Sequence, residues 1–271
     1  MTETAEILVD EPVPGVRRLT LNRPQQLNAF TYAMYSRLLA ILEELRHDAQ
    51  TRVVVLTGSG KGFCAGHDLK SAGEPGWIDD PDLGKAYRGK YTISELNRIP
   101  VLMRQLPQPV ICAVNGAAAG IGYALALAAD LCVAARSAKF VNSIHNAGTG
   151  HELGLSYLLP RAVGTQRAAE LLLTARPVLA EEAERIGLVL RAVPDEQLMD
   201  SVLELANGIL VNVPLGIWLT KQSLWLNQSV GSLEAAIEME SRAVAIAQST
   251  QDAADKRAAF LEKRPPRFTN K

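Results

Sequence analysis

The stretch Gln108 to Asp130, QPVICAVNGAAAGIGYALALAAD, decides how this chain is read. Val110 to Val114 is a short apolar run closed by Asn115 and Gly116, which is the pattern of a buried strand ending in a turn. The small and aliphatic residues after Gly120 read as a helix beginning just after GIG, a site from which free N–H groups and the positive dipole end face outward. Strand, glycine turn and helix together form a place where backbone amides can hold an anion. A plainer reading stays open beside it: small residues also let a buried helix pack tightly on a sheet, and a glycine pattern alone is a weak signal.

Working outward, RRLTLN (Arg17 to Asn22) and TRVVVLTG (Thr51 to Gly58) are two more β-branched runs ending in turn residues. Between them Met34, Leu38, Ile41, Leu42 and Leu45 recur at three- and four-residue steps, one apolar face of a helix packed on the sheet. Strands alternating with helices predict an α/β fold. A second glycine-bounded turn, GKGFCAGHDLK from Gly60 to Lys70, follows the strand at 51–58. Residues 71–90, rich in Gly, Pro and Asp, read as a surface loop or as a lid over a pocket. Past Asp195 the β signals stop. Helices are expected around 195–211, 214–226, 232–247 and 250–262, with Ser232 and Thr250 as N-caps for the last two. The chain thus divides into a core at 1–194 and a helical region at 195–271, whose helices must dock on the core or on other subunits.

Composition narrows the functions. Among 271 residues, 28 Lys and Arg stand against 29 Asp and Glu, with no run of like charge to suggest nucleic acid or an anionic membrane. Cys64, Cys112 and Cys132 are too widely spaced for a metal pattern and read as reduced core thiols. The acidic N-terminus does not resemble a signal or transit peptide, and no apolar run reaches the roughly 18 residues of a membrane span. A soluble, cytoplasmic protein acting on a small molecule is expected, with no metal and no tightly held cofactor.

The ordered segments LNRPQQLNAF, VVVLTGSGKGFCAGHDLK, QPVICAVNGAAAGIGYALALAADL, LLPRAVGTQRAAELLLTARPVLAEEAERIGLV and AAFLEKRPPRF resemble the crotonase superfamily, the enoyl-CoA hydratase and isomerase family. The resemblance covers nearly the whole chain. It implies a spiral core of repeated β-β-α units, a C-terminal helical region that forms a homotrimer or a dimer of trimers, and acyl-CoA thioester substrates with coenzyme A as their carrier part. It also implies an oxyanion hole of two backbone amides, at Ala65 and Ile121, for a thioester enolate. Each such donor is typically worth about 3 kcal/mol in the transition state. Gln25, Gln26 and Leu27, together with the backbone of His67, Asp68 and Leu69, take the places that lie against coenzyme A. Lys263 takes that of a basic residue reaching the nucleotide phosphates, often those of a neighbouring subunit.

The hydratases of this family use two glutamates, and this chain has Ala124 and Ile144 at the matching positions. Neither can transfer a proton, so two-glutamate hydration is excluded. Glu152, in GTGHELGLS, matches instead the catalytic aspartate of the dienoyl-CoA isomerases and 4-chlorobenzoyl-CoA dehalogenases. In an apolar acyl pocket its carboxyl should titrate high, suited to shuttling a proton near neutrality. The competing reading makes Glu152 an N-cap or first-turn acid of a helix beginning near Leu153. His67, His145 and His151 lie on segments expected near the ligand, either as packing or as proton carriers. Two functions follow: an isomerase-like acyl-CoA enzyme with Glu152 as acid/base, or a non-catalytic acyl-CoA binder or regulatory protein that kept the cradle and lost the chemistry.

Overall fold

The computed structural model describes residues 5–80, 82–143, 148 and 150–271. The chain opens with an antiparallel pair, β1 (Ile7–Val13) and β2 (Val16–Leu21), followed by helix α1 (Tyr32–Leu45). Thr31 caps α1, its hydroxyl accepting the Met34 amide at 3.1 Å, and the apolar stripe read from the sequence is buried along it. A repeating order then sets in. A strand of a large sheet is followed by a short strand of a second sheet and then by helix: β3 (Val53–Gly58), β4 (Gly62–Cys64), α2 (Lys85–Leu96), α3 (Arg98–Gln105); then β5 (Val110–Val114), β6 (Ala117–Ala119), α4 (Ile121–Ala128). The third turn of the spiral is β7 (Leu131–Ala135), β8 (Lys139–Val141), α5 (Leu155–Val163) and α6 (Thr165–Thr174), and the core closes with β9 (Val178–Leu179), α7 (Ala180–Arg185) and β10 (Arg191–Val193). The large sheet has the order β1-β2-β3-β5-β7-β10, parallel from β2 onward, and the small one β4-β6-β8-β9.

Side-chain alternation along the central strands makes two cores. Val54 and Leu56, Val110, Cys112 and Val114, and Cys132 and Ala134 face α1, α3 and α4 in the larger one. Their neighbours Val53 and Val55, Ile111 and Ala113, and Val133 and Ala135 face the other way. That second face is covered by α8 (Leu198–Leu210) through Leu198, Val202 and Ala206. The helical region after residue 194 therefore begins by completing the core of its own chain. Next, α9 (Pro214–Leu226) is anchored by Lys221, whose buried ammonium donates to the Met103 and Gln108 carbonyls and pairs with Asp130, each at 2.8 Å. The last two helices, α10 (Leu233–Gln248) and α11 (Gln251–Glu262), carry the expected caps, Ser232 and Thr250. No side chain of α10 is buried, and Leu233, Ile237, Val244 and Ile246 stand exposed on it.

Two sequence expectations are corrected. Residues 71–90 are not loop throughout, because α2 starts at Lys85 and lies against α3, with Thr92 and Leu96 buried. The helix near Glu152 begins at Leu155 rather than Leu153, since Leu153 and Gly154 both hold positive φ, 55° and 77°, a left-handed pair that no helix includes. Among the described residues no single helix is long and apolar enough to cross a membrane.

Candidate active site

The site lies where the parallel strands β3 and β5 end. Two asparagines fix the turn after β3. Asn115 accepts the Gly58 amide at 3.1 Å and donates to the Gly60 and Gly62 carbonyls, while Asn28 donates to the carbonyls of Ser59 and Gly62 at 2.9 and 2.7 Å. Asn28 is wholly buried and sits at φ 58°, a conformation its short polar side chain tolerates. The loop is thereby held rigid before β4 carries the chain to Cys64.

From Cys64 the two glycine turns run side by side. A Cβ built on Gly122 would stand 2.4 Å from the Cys64 carbonyl oxygen and 2.8 Å from Cys64 Cβ, so only glycine fits there, and Gly120 is held at φ 51°, a conformation that favours glycine. Burial pushes the Cys64 thiol up to about 12. Cys112 and Cys132 are likewise buried and free, and their thiols are raised by the same cause.

The geometry of the first turn moves one expected donor. Ala65 does not offer a free amide, because its N–H is occupied by the Leu27 carbonyl at 2.9 Å. The open amide is that of His67. Phe30 and His67 form a parallel bridge in which the Phe30 amide donates to the Gly66 carbonyl at 2.8 Å and the Asp68 amide to the Phe30 carbonyl at 2.9 Å. A residue flanked in this way turns its own N–H away from the partner strand, and no acceptor for it exists among the described residues. Gly66, at φ 104°, makes the reversal; a glycine directly before His67 was the sequence signal for it. Ile121, the second expected donor, is the first residue of α4, which starts inside GIG and not just after it; at that position an α-helix leaves its amides without intrahelical partners.

The coenzyme A positions sort by environment. Gln25 and Gln26 lie in an exposed one-turn helix, Pro24–Gln26, which Leu27 ends at φ 48°. Asp68 is buried and its carboxylate closes the loop, accepting Arg23 at 2.9 Å and the amides of Lys70 and Ser71 at 3.0 and 2.8 Å, which together hold its carboxyl below the usual range. Leu69 is exposed. Lys263 ends α11 in a left-handed conformation and is exposed. The chain around α11 docks by Asn270 on the Ala49 carbonyl and by Phe268 under Arg52, at the end of β3 opposite the glycine turns.

Glu152 sits in the turn before α5. It is not an N-cap: Gly154 holds that position, and the side chain of Glu152 is half-buried instead of facing the helix amides. Burial raises its carboxyl above the ordinary value, as expected for an acid in an apolar pocket. Asn97 fixes the turn by accepting the Leu153 amide at 2.9 Å. Glu152 borders a cavity of about 500 Å³ shared with Asn97, Arg104, His151, Tyr157 and Trp225. His151 and Glu152 precede the helix and do not share its face. Ala124 is buried in α4 and presents only a methyl; Ile144 and His145 lie outside the described residues. His67 packs against both Tyr32 and Tyr35 in tilted ring contacts, with centroids 5.1 and 5.9 Å away, and burial lowers its imidazole pKa. Among the described residues no group of three or more potential ligands is placed to hold a metal.

A spiral of strand, short strand and helix, with two glycine turns opposed at the strand ends, is the crotonase architecture. Residues 12–271 match the model of the enoyl-CoA hydratase/isomerase family, and the chain belongs to that family of enzymes. It is 44% identical to the probable enoyl-CoA hydratase EchA12 of Mycobacterium tuberculosis, over 97% of this chain and 93% of that one. It is 37% identical to the 1,2-epoxyphenylacetyl-CoA isomerase of Escherichia coli, over 98% and 99% of the two chains. The crystal structure of a probable enoyl-CoA hydratase/isomerase from Mycobacterium abscessus superposes with a TM-score of 0.89 at 38% identity, covering 98% of this chain and 100% of that one.

Proposed function

We propose that this enzyme moves a double bond within an acyl-CoA thioester, with Glu152 as its acid/base. What supports the reading is a desolvated carboxyl, Glu152, together with two backbone amides on adjoining turns, His67 N–H and Ile121 N–H, that have no partner among the described residues. Ionised Glu152 removes a proton from a carbon conjugated to the thioester. The electron pair shifts toward the carbonyl, whose oxygen gains negative charge between the two amides. Glu152 then returns the proton to a different carbon, and the double bond has moved with no water consumed. Ala124 favours this reaction over hydration, since it leaves no second acid on α4 to deliver water. Burial disfavours the charged carboxylate and so makes it a stronger base at neutral pH.

Coenzyme A lies along the Gln25–Leu27 turn and the backbone of His67–Leu69, with Arg23 and Asp68 holding that loop. The protein works as a trimer, or as two stacked trimers, in the cytoplasm. The exposed apolar side chains of α10 support an assembly, which would also be needed to bring Lys263 toward a nucleotide phosphate.

The test is a panel of enoyl-, dienoyl- and hydroxyacyl-CoA esters in D2O, followed by mass spectrometry for the wild type and Glu152→Gln. Loss of general acid–base catalysis should lower kcat by about 10²- to 10⁴-fold with little change in thioester affinity. Turnover and deuterium incorporation unchanged by the substitution overturn the role of Glu152. Tight ester binding by the wild type, with neither product nor exchange from any substrate, would return the non-catalytic binder.

A further inference from the structure

The first turn of α1 carries a polar group that the reaction above does not use. Tyr35 is wholly buried, and its hydroxyl has no hydrogen-bond partner. Its ring lies 4.9 Å from Phe30, 6.3 Å from Tyr32 and 5.9 Å from His67, centroid to centroid. Tyr32 in turn meets Trp77 edge to face at 5.6 Å. Two further polar atoms in this cluster of rings are buried without partners, Nδ1 of His67 and Nε1 of Trp77. Both Cys64 and Glu152 are close enough to act electrostatically on the Tyr35 phenol. The hydroxyl therefore belongs to the ring cluster around His67, whose amide is open, and lies within electrostatic reach of the Glu152 carboxyl.

A phenol O–H buried without a partner is destabilising, and a fold of this family could place an apolar ring there at no such cost. Three polar atoms left open in one cluster of rings within electrostatic reach of Glu152 point to a ligand that supplies the missing partner. Trp77 Nε1–H can only donate and the Tyr35 hydroxyl can donate, so a partner that accepts satisfies both. A plain hydrocarbon chain offers no acceptor beyond the thioester, whose carbonyl belongs to the backbone amides.

We propose that Tyr35 is a substrate-contacting residue whose hydroxyl donates to an oxygen on the acyl group, so that the preferred thioester carries a carbonyl or ether oxygen on its acyl part in addition to the thioester carbonyl. The proposal rests on the acyl-thioester reading of the site but not on the role of Glu152.

Binding of two unreactive ring esters separates the cases: cyclohexylacetyl-CoA and its 2-oxocyclohexyl counterpart, which adds one acceptor and no donor. Calorimetric titration of the wild type should show the oxo ester binding about tenfold tighter, the usual scale of one buried hydrogen bond. Tyr35→Phe keeps the ring and removes the hydroxyl. It should bind both esters alike and melt no lower than the wild type, because an unpartnered buried group has been deleted. A wild type without the preference, or a Tyr35→Phe protein that retains it, overturns the proposal. So does a variant whose Tm and both affinities fall together, which would make Tyr35 a packing residue. If neither ester binds at all, the acyl-thioester reading itself fails, whereas a Glu152→Gln protein that keeps both turnover and the oxo preference removes only the catalytic role.

Discussion

Adding one methyl group at Gly122 tests whether the contact between the two turns sets the reaction. The new Cβ would stand 2.8 Å from Cys64 Cβ and closer still to the Cys64 carbonyl oxygen, where ordinary contacts lie at 3.4–4 Å. Both obstacles belong to β4 and the backbone beside it, so no side chain can swing clear. The first turn of α4 must retreat from β4 by on the order of 1 Å, at a cost of about 1–3 kcal/mol for an overfilled core. Ile121, one residue earlier, moves with it, while His67 stays with the first turn, and the two amides no longer bracket one oxygen. A displacement of that size costs roughly 10²-fold in rate, similar to losing one oxyanion donor. Gly122→Ala should therefore lower kcat on the best ester of the panel by about 10²-fold, change KM little, and lower Tm by roughly 3–10 °C in a chain of this size. Gly208→Ala is the control: it lies inside α8 with nothing within 4 Å of the added methyl, and should raise helix stability by up to about 1 kcal/mol without touching kcat. Steady-state kinetics and thermal unfolding of both variants read the outcome. A Gly122→Ala enzyme within threefold of the wild-type kcat would refute the argument that this contact positions the amides.

Two further outcomes concern buried charge. The Glu152 carboxyl titrates above its unfolded value, so its linkage favours the folded state below the unfolded pKa and that contribution disappears as pH rises through the folded one. Glu152→Gln should accordingly raise Tm relative to the wild type at pH 7 and lose that advantage by pH 4; a constant difference across this range would show that burial of the carboxyl is not the cause. Lys221→Met leaves the Met103 and Gln108 carbonyls and one face of Asp130 unpaired, although Val110 N–H and Trp225 Nε1 still donate to that carboxylate at 2.7 Å each. Breaking such a pair typically costs about 3–5 kcal/mol, so urea unfolding should show a loss of that size, and a loss below about 1 kcal/mol would mean that α9 is held by its apolar contacts alone.

The strands at 51–58 and 108–114 were legible because alternation and β-branching report burial directly, and Ser232 and Thr250 were legible as caps because capping is local chemistry. The two- and three-residue strands of the small sheet carry no such signal. They are strands only because neighbouring chain segments hydrogen-bond to them. Residues 85–90 were hidden for a related reason, since α2 is weakly apolar and takes its place by packing on α3.

For the site, the sequence by itself determined what local residue chemistry reports: Ala124 is a methyl with no proton to give, and the glycines near residues 66 and 120 announced a close approach of backbones. Only the tertiary structure decided which amide is open. An amide is free or occupied according to the chain beside it: the Leu27 carbonyl closes Ala65, while the bridge from Phe30 turns His67 outward. The same holds for the two side chains that carry the proposals. Glutamate and tyrosine are ordinary surface or core residues in a sequence, and it is desolvation at Glu152 and the missing partner at Tyr35, both properties of the packed chain, that single them out.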